Sequence, residues 1–164
     1  PVTVNWVQMG SVLAIGAIGL VFYRRANHSE ASAGHRLSGN MKLLGDSLAN
    51  VKTNLEQLCS QKDELPVYEA RFEIDRLFRE DLNNFADARE TMIHVFGMQK
   101  YADVMSAFAA GERYINRVWS ASTDGYQDEV KMYLEKARNQ FDEASSLFNQ
   151  LQSEASFDAT VSAP

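Results

Sequence analysis

Two carboxylates, Asp81 and Glu112, stand where the surrounding helical pattern calls for apolar side chains. Asp81 lies 16 residues before Gly97 and Glu112 lies 15 residues after it. If the chain reverses at Gly97, the two side chains face each other in one layer of an antiparallel hairpin. Two buried carboxylates cannot both stay ionised cheaply, so they need a shared proton, a cation or a metal ion. The pair is therefore a candidate metal or ligand site, with a structural polar layer as the alternative.

The other residues that could do chemistry do not form a catalytic pattern. A di-iron carboxylate bundle uses Glu-x-x-His motifs from two helices, whereas Glu90 and His94 are spaced by four. The sequence contains no P-loop, dinucleotide fingerprint, Gly-x-Ser-x-Gly or zinc-protease motif. Cys59 is the single cysteine, which excludes an intramolecular disulfide and a cysteine-based zinc cluster. We therefore expect neither catalysis nor a resident cofactor.

The element that leads into this arrangement is a long helix predicted from about residue 32 to residue 61. Its apolar residues step by four and three, which is a repeat of 3.5 residues. The positions beside this repeat lack the opposed charges that specify a dimeric coiled coil, so an antiparallel bundle is favoured over a parallel coiled coil. The repeat consists of Leu37, Met41, Leu44, Leu48, Val51, Leu55 and Leu58.

Three more helices are predicted after a turn at residues 63–66. They cover about 67–96, the stretch from the Gly97 turn to about residue 119, and 126–151, with Asp124 as a helix N-cap. The apolar face of the third of the four helices is predicted to consist of Tyr101, Met105, Phe108, Ile115 and Trp119. Phe72 and Tyr114 lie off the apolar stripes, which marks them as exposed aromatics for partner contacts. Residues 152–164 are small and polar and are predicted to be disordered. The fold class is all-α, with an up-and-down antiparallel bundle of three to four helices at residues 35–151.

The first 25 residues differ from the rest of the chain. No charge occurs from Val2 to Tyr23, and a helix of about 20 residues matches the roughly 30 Å core of a bilayer. Because Arg24 and Arg25 follow the apolar run, we expect a single transmembrane helix with its N-terminus outside and a cytoplasmic body. A signal peptide would carry its positive charge before the apolar run, and a buried core helix is the other alternative. Residues 26–34 are predicted to be a juxtamembrane linker.

Small and polar residues lie on two faces of this predicted membrane helix. Small residues allow close approach of helix backbones in lipid, and a buried Asn or Gln seeks a partner there. We therefore expect packing against other membrane helices on two sides, with a lone anchor that carries incidental glycines as the alternative. One face carries Gly10, Ala14 and Ala17, and the other carries Asn5, Gln8, Gly16 and Gly19.

The charge of the body limits its partners. Without the apolar run and its two arginines, 14 basic side chains remain against 22 acidic ones, and such a body is unsuited to nucleic acid. These features predict a non-catalytic, membrane-anchored scaffold or accessory subunit, whose partners are the lipid bilayer and proteins of a membrane complex. Assembly of this chain into a homo-oligomer is a further alternative. The alternatives are a sensory four-helix-bundle domain, as in bacterial chemoreceptors, and a metal-binding carboxylate bundle.

Overall fold

The computed structural model describes residues 36–161, with side chains to residue 157, and every regular element in this range is helical. Helix α1 covers 36–60, α2 Ala70–Ala88, α3 Thr91–Phe96, α4 Met98–Asp124 and α5 Gln127–Val161. The helices from residue 40 onward belong to one compact unit. The predicted all-helical bundle is confirmed.

The predicted membrane segment lies outside the described residues. The same holds for the linker at 26–34 and for the residues assigned to membrane packing and topology, namely Asn5, Gln8, Gly10, Ala14, Gly16, Ala17, Gly19, Arg24 and Arg25. Across residues 36–161, none of the helices combines the length and the apolar character needed to cross a bilayer.

Side-chain hydrogen bonds show that α1 runs antiparallel to α2 and α3. Asn40 donates to Thr91 Oγ1, Asn50 donates to Asp81 Oδ1, and Asn54 donates to the Leu77 carbonyl, each at 3.0 Å. A step from 40 to 50 to 54 is thus matched by a step from 91 to 81 to 77. Asparagines on this edge of α1 therefore fix its register relative to α2 and α3.

The opposite edge of α1 faces α5, and ion pairs connect the two sides. Lys52 Nζ lies 3.1 Å from Asp142 Oδ1, Lys62 pairs with Glu135, and Lys131 Nζ lies 2.7 Å from Asp63 Oδ1 in the following turn. These pairs again run in opposite directions along the two helices. Helix α1 therefore has two different neighbours, as in an antiparallel bundle.

Aromatic packing joins three helices in the interior. The Phe85 ring of α2 stacks on Phe108 of α4 at 4.1 Å between centroids, and Phe108 meets Phe141 of α5 edge to face at 5.4 Å. All three side chains are buried. Leu44, Leu48, Val51 and Leu55 of the predicted repeat are also buried, whereas Leu37 is exposed.

The predicted helix through residues 67–96 starts later than expected and is interrupted, although its predicted end at Phe96 is correct. Helix α2 starts at Ala70 and ends at Ala88, and a turn at Arg89 and Glu90 precedes α3. There the amides of Met92 and Ile93 bond to carbonyls three residues back, at 3.1 Å each, instead of four. The tighter turn buries Thr91 and Met92 together.

The helix that follows the Gly97 break is longer than predicted. It continues through the expected turn at 120–125, and Asp124 is its last residue and not an N-cap. The hydroxyls of Ser120 and Thr123 donate to backbone carbonyls four residues back at 3.1 and 3.0 Å. Their hydrogen-bonding groups are therefore satisfied within the helix, and the two residues do not interrupt it. The helix ends at Gly125, which is left-handed with φ 80°.

The predicted disordered tail is also wrong for residues 152–161, because α5 continues to Val161. Glu154 accepts hydrogen bonds from Lys100 of α4 at 2.9 Å and from Gln150 at 3.0 Å. These contacts hold polar residues in a helix that composition alone does not favour.

Candidate protein-docking groove

The start of α2 is fastened to the end of α4 by one serine. The fully buried Ser122 donates its hydroxyl to the Val67 carbonyl at 2.6 Å and accepts from the Arg71 amide at 3.0 Å. The hydroxyl therefore satisfies two backbone groups at the start of α2, where no side chain caps the helix. This fixes the spacing of the two helices that form the groove.

Aromatic side chains lie along the outside of this helix pair. Phe72 and Tyr68 are 54% and 56% exposed, one helical turn apart, and Trp119 on α4 is 41% exposed. The Arg71 guanidinium lies 4.6 Å from the centroid of the Phe72 ring. The Trp119 indole N–H donates to Asp75 Oδ2 at 3.4 Å across the helix pair. We call the surface formed by Phe72, Asp75 and Trp119 with the adjoining cleft the α2–α4 groove.

The cleft has a volume of about 180 Å³ and an apolar floor. The floor consists of the buried side chains Ile74, Phe78 and Ile115. Its polar wall carries both charge signs and several amides, so a docked group can be oriented by hydrogen bonds as well as by burial. The wall includes Asp75, Arg79, Asn83, Glu112 and Asn116.

The two candidate metal ligands do not form the predicted buried pair. Glu112 lies in the layer expected from its distance to Gly97, since it lines the cleft with Phe78 and Leu82. It is exposed, however, and Asp81 is only half-buried and accepts a hydrogen bond from Asn50 of α1. The two side chains have different surroundings, because Asp81 contacts Asn50 of α1, whereas Glu112 lines the solvent-exposed cleft between α2 and α4. In residues 36–161 no cluster of three or more His, Cys, Asp or Glu side chains could hold a metal ion.

The two aromatics predicted for partner contacts differ in their surroundings. Phe72 is exposed and belongs to the groove. Tyr114 is half-buried and stacks on Tyr133 of α5 at 6.1 Å between centroids, so it is not a free surface aromatic. The expected exposure of Tyr114 is wrong because α5 crosses the face of α4 on which the tyrosine lies.

Cys59 is buried against α5, and burial raises the pKa of its thiol above the ordinary value. A protonated thiol is a poor nucleophile, and the nearby Arg138 and Lys62 only partly offset the effect of burial. Cys59 is therefore a packing residue of the bundle.

Sequence reasoning missed the role of Trp119, which it assigned to the apolar core of the third long helix. The signal that could have indicated its exposure is the set of polar residues around it, which lies at the edge of the apolar face of the helix. These residues are Asn116, Ser120 and Thr123. Comparison of the chain with known protein families, with curated proteins and with solved structures finds no match.

Proposed function

We propose that this chain is a non-catalytic, membrane-anchored scaffold or accessory subunit that docks a partner protein through the α2–α4 groove. The observation that carries the proposal is the exposure of two aromatic side chains that are both connected to Asp75 of the cleft wall. Trp119 donates a hydrogen bond to Asp75, and Phe72 lies three residues before it on α2. Aromatic side chains beside a pocket are typical of the residues that contribute most to protein–protein binding. We assign Phe72 of this chain as the residue that contacts the partner.

The size of the cleft favours a protein side chain over a small-molecule ligand. Pockets for drug-sized ligands and cofactors have volumes of about 300–1,000 Å³, whereas this cleft holds about 180 Å³. One apolar side chain of a partner can enter such a cleft while its neighbours pack on Phe72 and Trp119. This argues against the sensory-bundle alternative, which requires a site for a whole ligand.

The membrane part of the proposal is supported by the sequence of residues 1–25. Its uncharged run is long enough to span a bilayer, and Arg24 and Arg25 favour a cytoplasmic body. The small residues Gly10, Ala14 and Ala17 on one side, and Gly16 and Gly19 on the other, support contact with neighbouring membrane helices. A helix that contacts only lipid does not need small residues on two of its sides.

The anchor is tested by alkaline carbonate extraction and by protease treatment of sealed membranes. The full chain should stay in the pellet, and its body should be digested only from the cytoplasmic side. A triple variant Gly10→Leu, Ala14→Leu and Ala17→Leu should keep the anchor but lose co-purifying membrane proteins, whereas Leu20→Ile should retain them. Extraction of the wild type, or an external body, would overturn the membrane assignment.

The groove is tested by replacing single exposed residues. Phe72→Ser and Trp119→Ser should each reduce the amount of a partner that co-purifies with the wild-type chain. Met98→Ser is the matched control, because Met98 is 64% exposed at the first residue of α4, outside the groove. Loss of the partner from the Met98→Ser variant to the same extent would contradict the assignment.

A further inference from the structure

The outer face of α4 and α5 carries two stacked tyrosines that are bracketed by cations. The Tyr114 and Tyr133 rings lie 6.1 Å apart at 22°. Lys136 Nζ lies 5.7 and 5.8 Å from the two ring centroids, and the Arg117 guanidinium lies 5.4 Å from Tyr133. Arg117 Nη1 also donates to the Tyr133 hydroxyl at 3.2 Å. We call these four residues the tyrosine–cation patch.

The cations of this patch have no carboxylate partner among residues 36–161. Neither Arg117 nor Lys136 forms an ion pair there, and the same is true of the exposed Arg113 one turn before Arg117. In the sequence, none of the three has an Asp or Glu three or four residues away. Arg113 and Arg117 are themselves spaced by four, an arrangement in which like charges destabilise a helix. Uncompensated positive charge is thus concentrated on one face of a chain with a net charge of −6.

Other lysines of the bundle are used differently. Lys52 and Lys62 pair with carboxylates of α5, and Lys100 of α4 pairs with Glu154 of α5. Those pairs join neighbouring helices. The patch cations are held in place by aromatic rings and a hydroxyl, so their charge is positioned but not neutralised.

We propose that the tyrosine–cation patch binds the carboxylates of an acidic segment of a partner protein. Arg117 uses one of the five N–H donors of its guanidinium on Tyr133, which leaves the fork available for a carboxylate. Lys136 supplies a second positive charge, which the two tyrosine rings hold near Arg117. The inference rests on the proposed function and gives the chemistry of a second docking surface.

The test uses the full chain in neutral detergent and fluorescein-labelled octaglutamate, with fluorescence anisotropy as the measurement. The double variant Arg117→Gln and Lys136→Gln should bind about tenfold more weakly, which corresponds to about 1.4 kcal/mol, because two exposed charge contacts are lost. The matched control is Arg36→Gln with Lys42→Gln, two exposed α1 cations that form no ion pair among the described residues. The control should retain affinity within about twofold, because surface charges distant from the binding site contribute little.

Three results would overturn the proposal: no binding of octaglutamate by the wild type, equal loss in both double variants, or tighter binding of glycerophosphoserine or inorganic phosphate than of octaglutamate. Tyr133→Phe keeps both cations but removes the hydroxyl that holds Arg117, so it should weaken binding while leaving the thermal midpoint unchanged. Phe72→Ser should bind octaglutamate normally. A failure of the patch is therefore distinguishable from a failure of the groove.

Discussion

Gly111 is the residue at which the interior of the bundle is most tightly specified. A Cβ atom at this position would come within 2.6 and 2.7 Å of two carbon atoms of the Phe141 ring. Phe141 is buried and packs edge to face on Phe108. The ring therefore cannot move away without disturbing the aromatic contacts that join α2, α4 and α5.

Gly111→Ala is expected to lower the free energy of unfolding by about 1–3 kcal/mol, as overpacked core substitutions do. Urea unfolding followed by far-UV circular dichroism measures the change. Gly39→Ala is the matched control, since no atom lies within 4 Å of its Cβ position and alanine favours a helix by up to about 1 kcal/mol. An unchanged midpoint for Gly111→Ala would show that Phe141 has room to shift.

At the same scale, the sequence predicts which residues are buried better than it predicts what the polar ones contact. The leucines of the α1 repeat are buried as predicted, apart from Leu37. The edges of α1 were predicted only to lack the opposed charges of a dimeric coiled coil, and their contacts were not predicted: Asn40 and Asn54 bond to one side, and Lys52 pairs with α5 on the other. Such contacts depend on which helix lies alongside, and hydrophobic periodicity does not contain that information.

Among the helices, Gly97 decides where α3 ends and α4 begins. Its φ of 85° and ψ of 166° lie in a region that is open essentially only to glycine. No atom lies within 4 Å of a Cβ placed there. The requirement at Gly97 is thus one of backbone conformation and not of space, in contrast to Gly111.

Gly97→Ala should destabilise the bundle by about 1–3 kcal/mol, the cost of holding a non-glycine residue in this region. The same urea experiment measures it, and Met98→Ala controls for the loss of local side-chain contacts, since Met98 is 64% exposed. If Gly97→Ala were neutral, the break between α3 and α4 would not depend on this backbone geometry.

The ion pairs between elements predict how stability depends on pH. A hydrogen bond from Lys62 lowers the pKa of Glu135, one from Lys131 lowers that of Asp63, and one from Lys100 lowers that of Glu154. A lowered pKa in the folded state means that the unfolded chain takes up protons first as the pH falls. The stabilisation is therefore complete above the ordinary carboxyl pKa of about 4 and is lost as the pH falls through the lowered values.

The urea midpoint should accordingly decrease between about pH 5 and pH 3. Glu135→Gln should flatten this decrease, because its side chain no longer titrates, whereas Glu129→Gln should not, since Glu129 forms no ion pair within residues 36–161. High salt should reduce the difference between the variants, because these pairs are exposed to solvent. A steeper acid loss in Glu135→Gln than in the wild type would contradict the assignment.

For the whole molecule, sequence periodicity predicted the helical class, the first turn and the break at Gly97. It did not predict the break at Arg89 or the continuation of α5 to Val161. Each lies beside a contact with another helix: Thr91 after the break accepts a hydrogen bond from Asn40, and Glu154 of α5 accepts one from Lys100. The candidate site was predicted only in part: Phe72 is exposed, but its neighbour Trp119 was assigned to the core because apolar character alone does not distinguish a groove from an interior.

The central claim is that a membrane-anchored bundle docks a partner protein through the α2–α4 groove. The most direct test replaces Phe72 with the photo-crosslinker p-benzoylphenylalanine in the full chain, within native membranes, and places the same group at the exposed Met98 as a control. Irradiation is expected to yield a discrete crosslinked species from position 72, in the carbonate-resistant membrane fraction, and none from position 98. Equal crosslinking from both positions, no crosslinking from position 72, or recovery of the chain in the soluble fraction would contradict the claim.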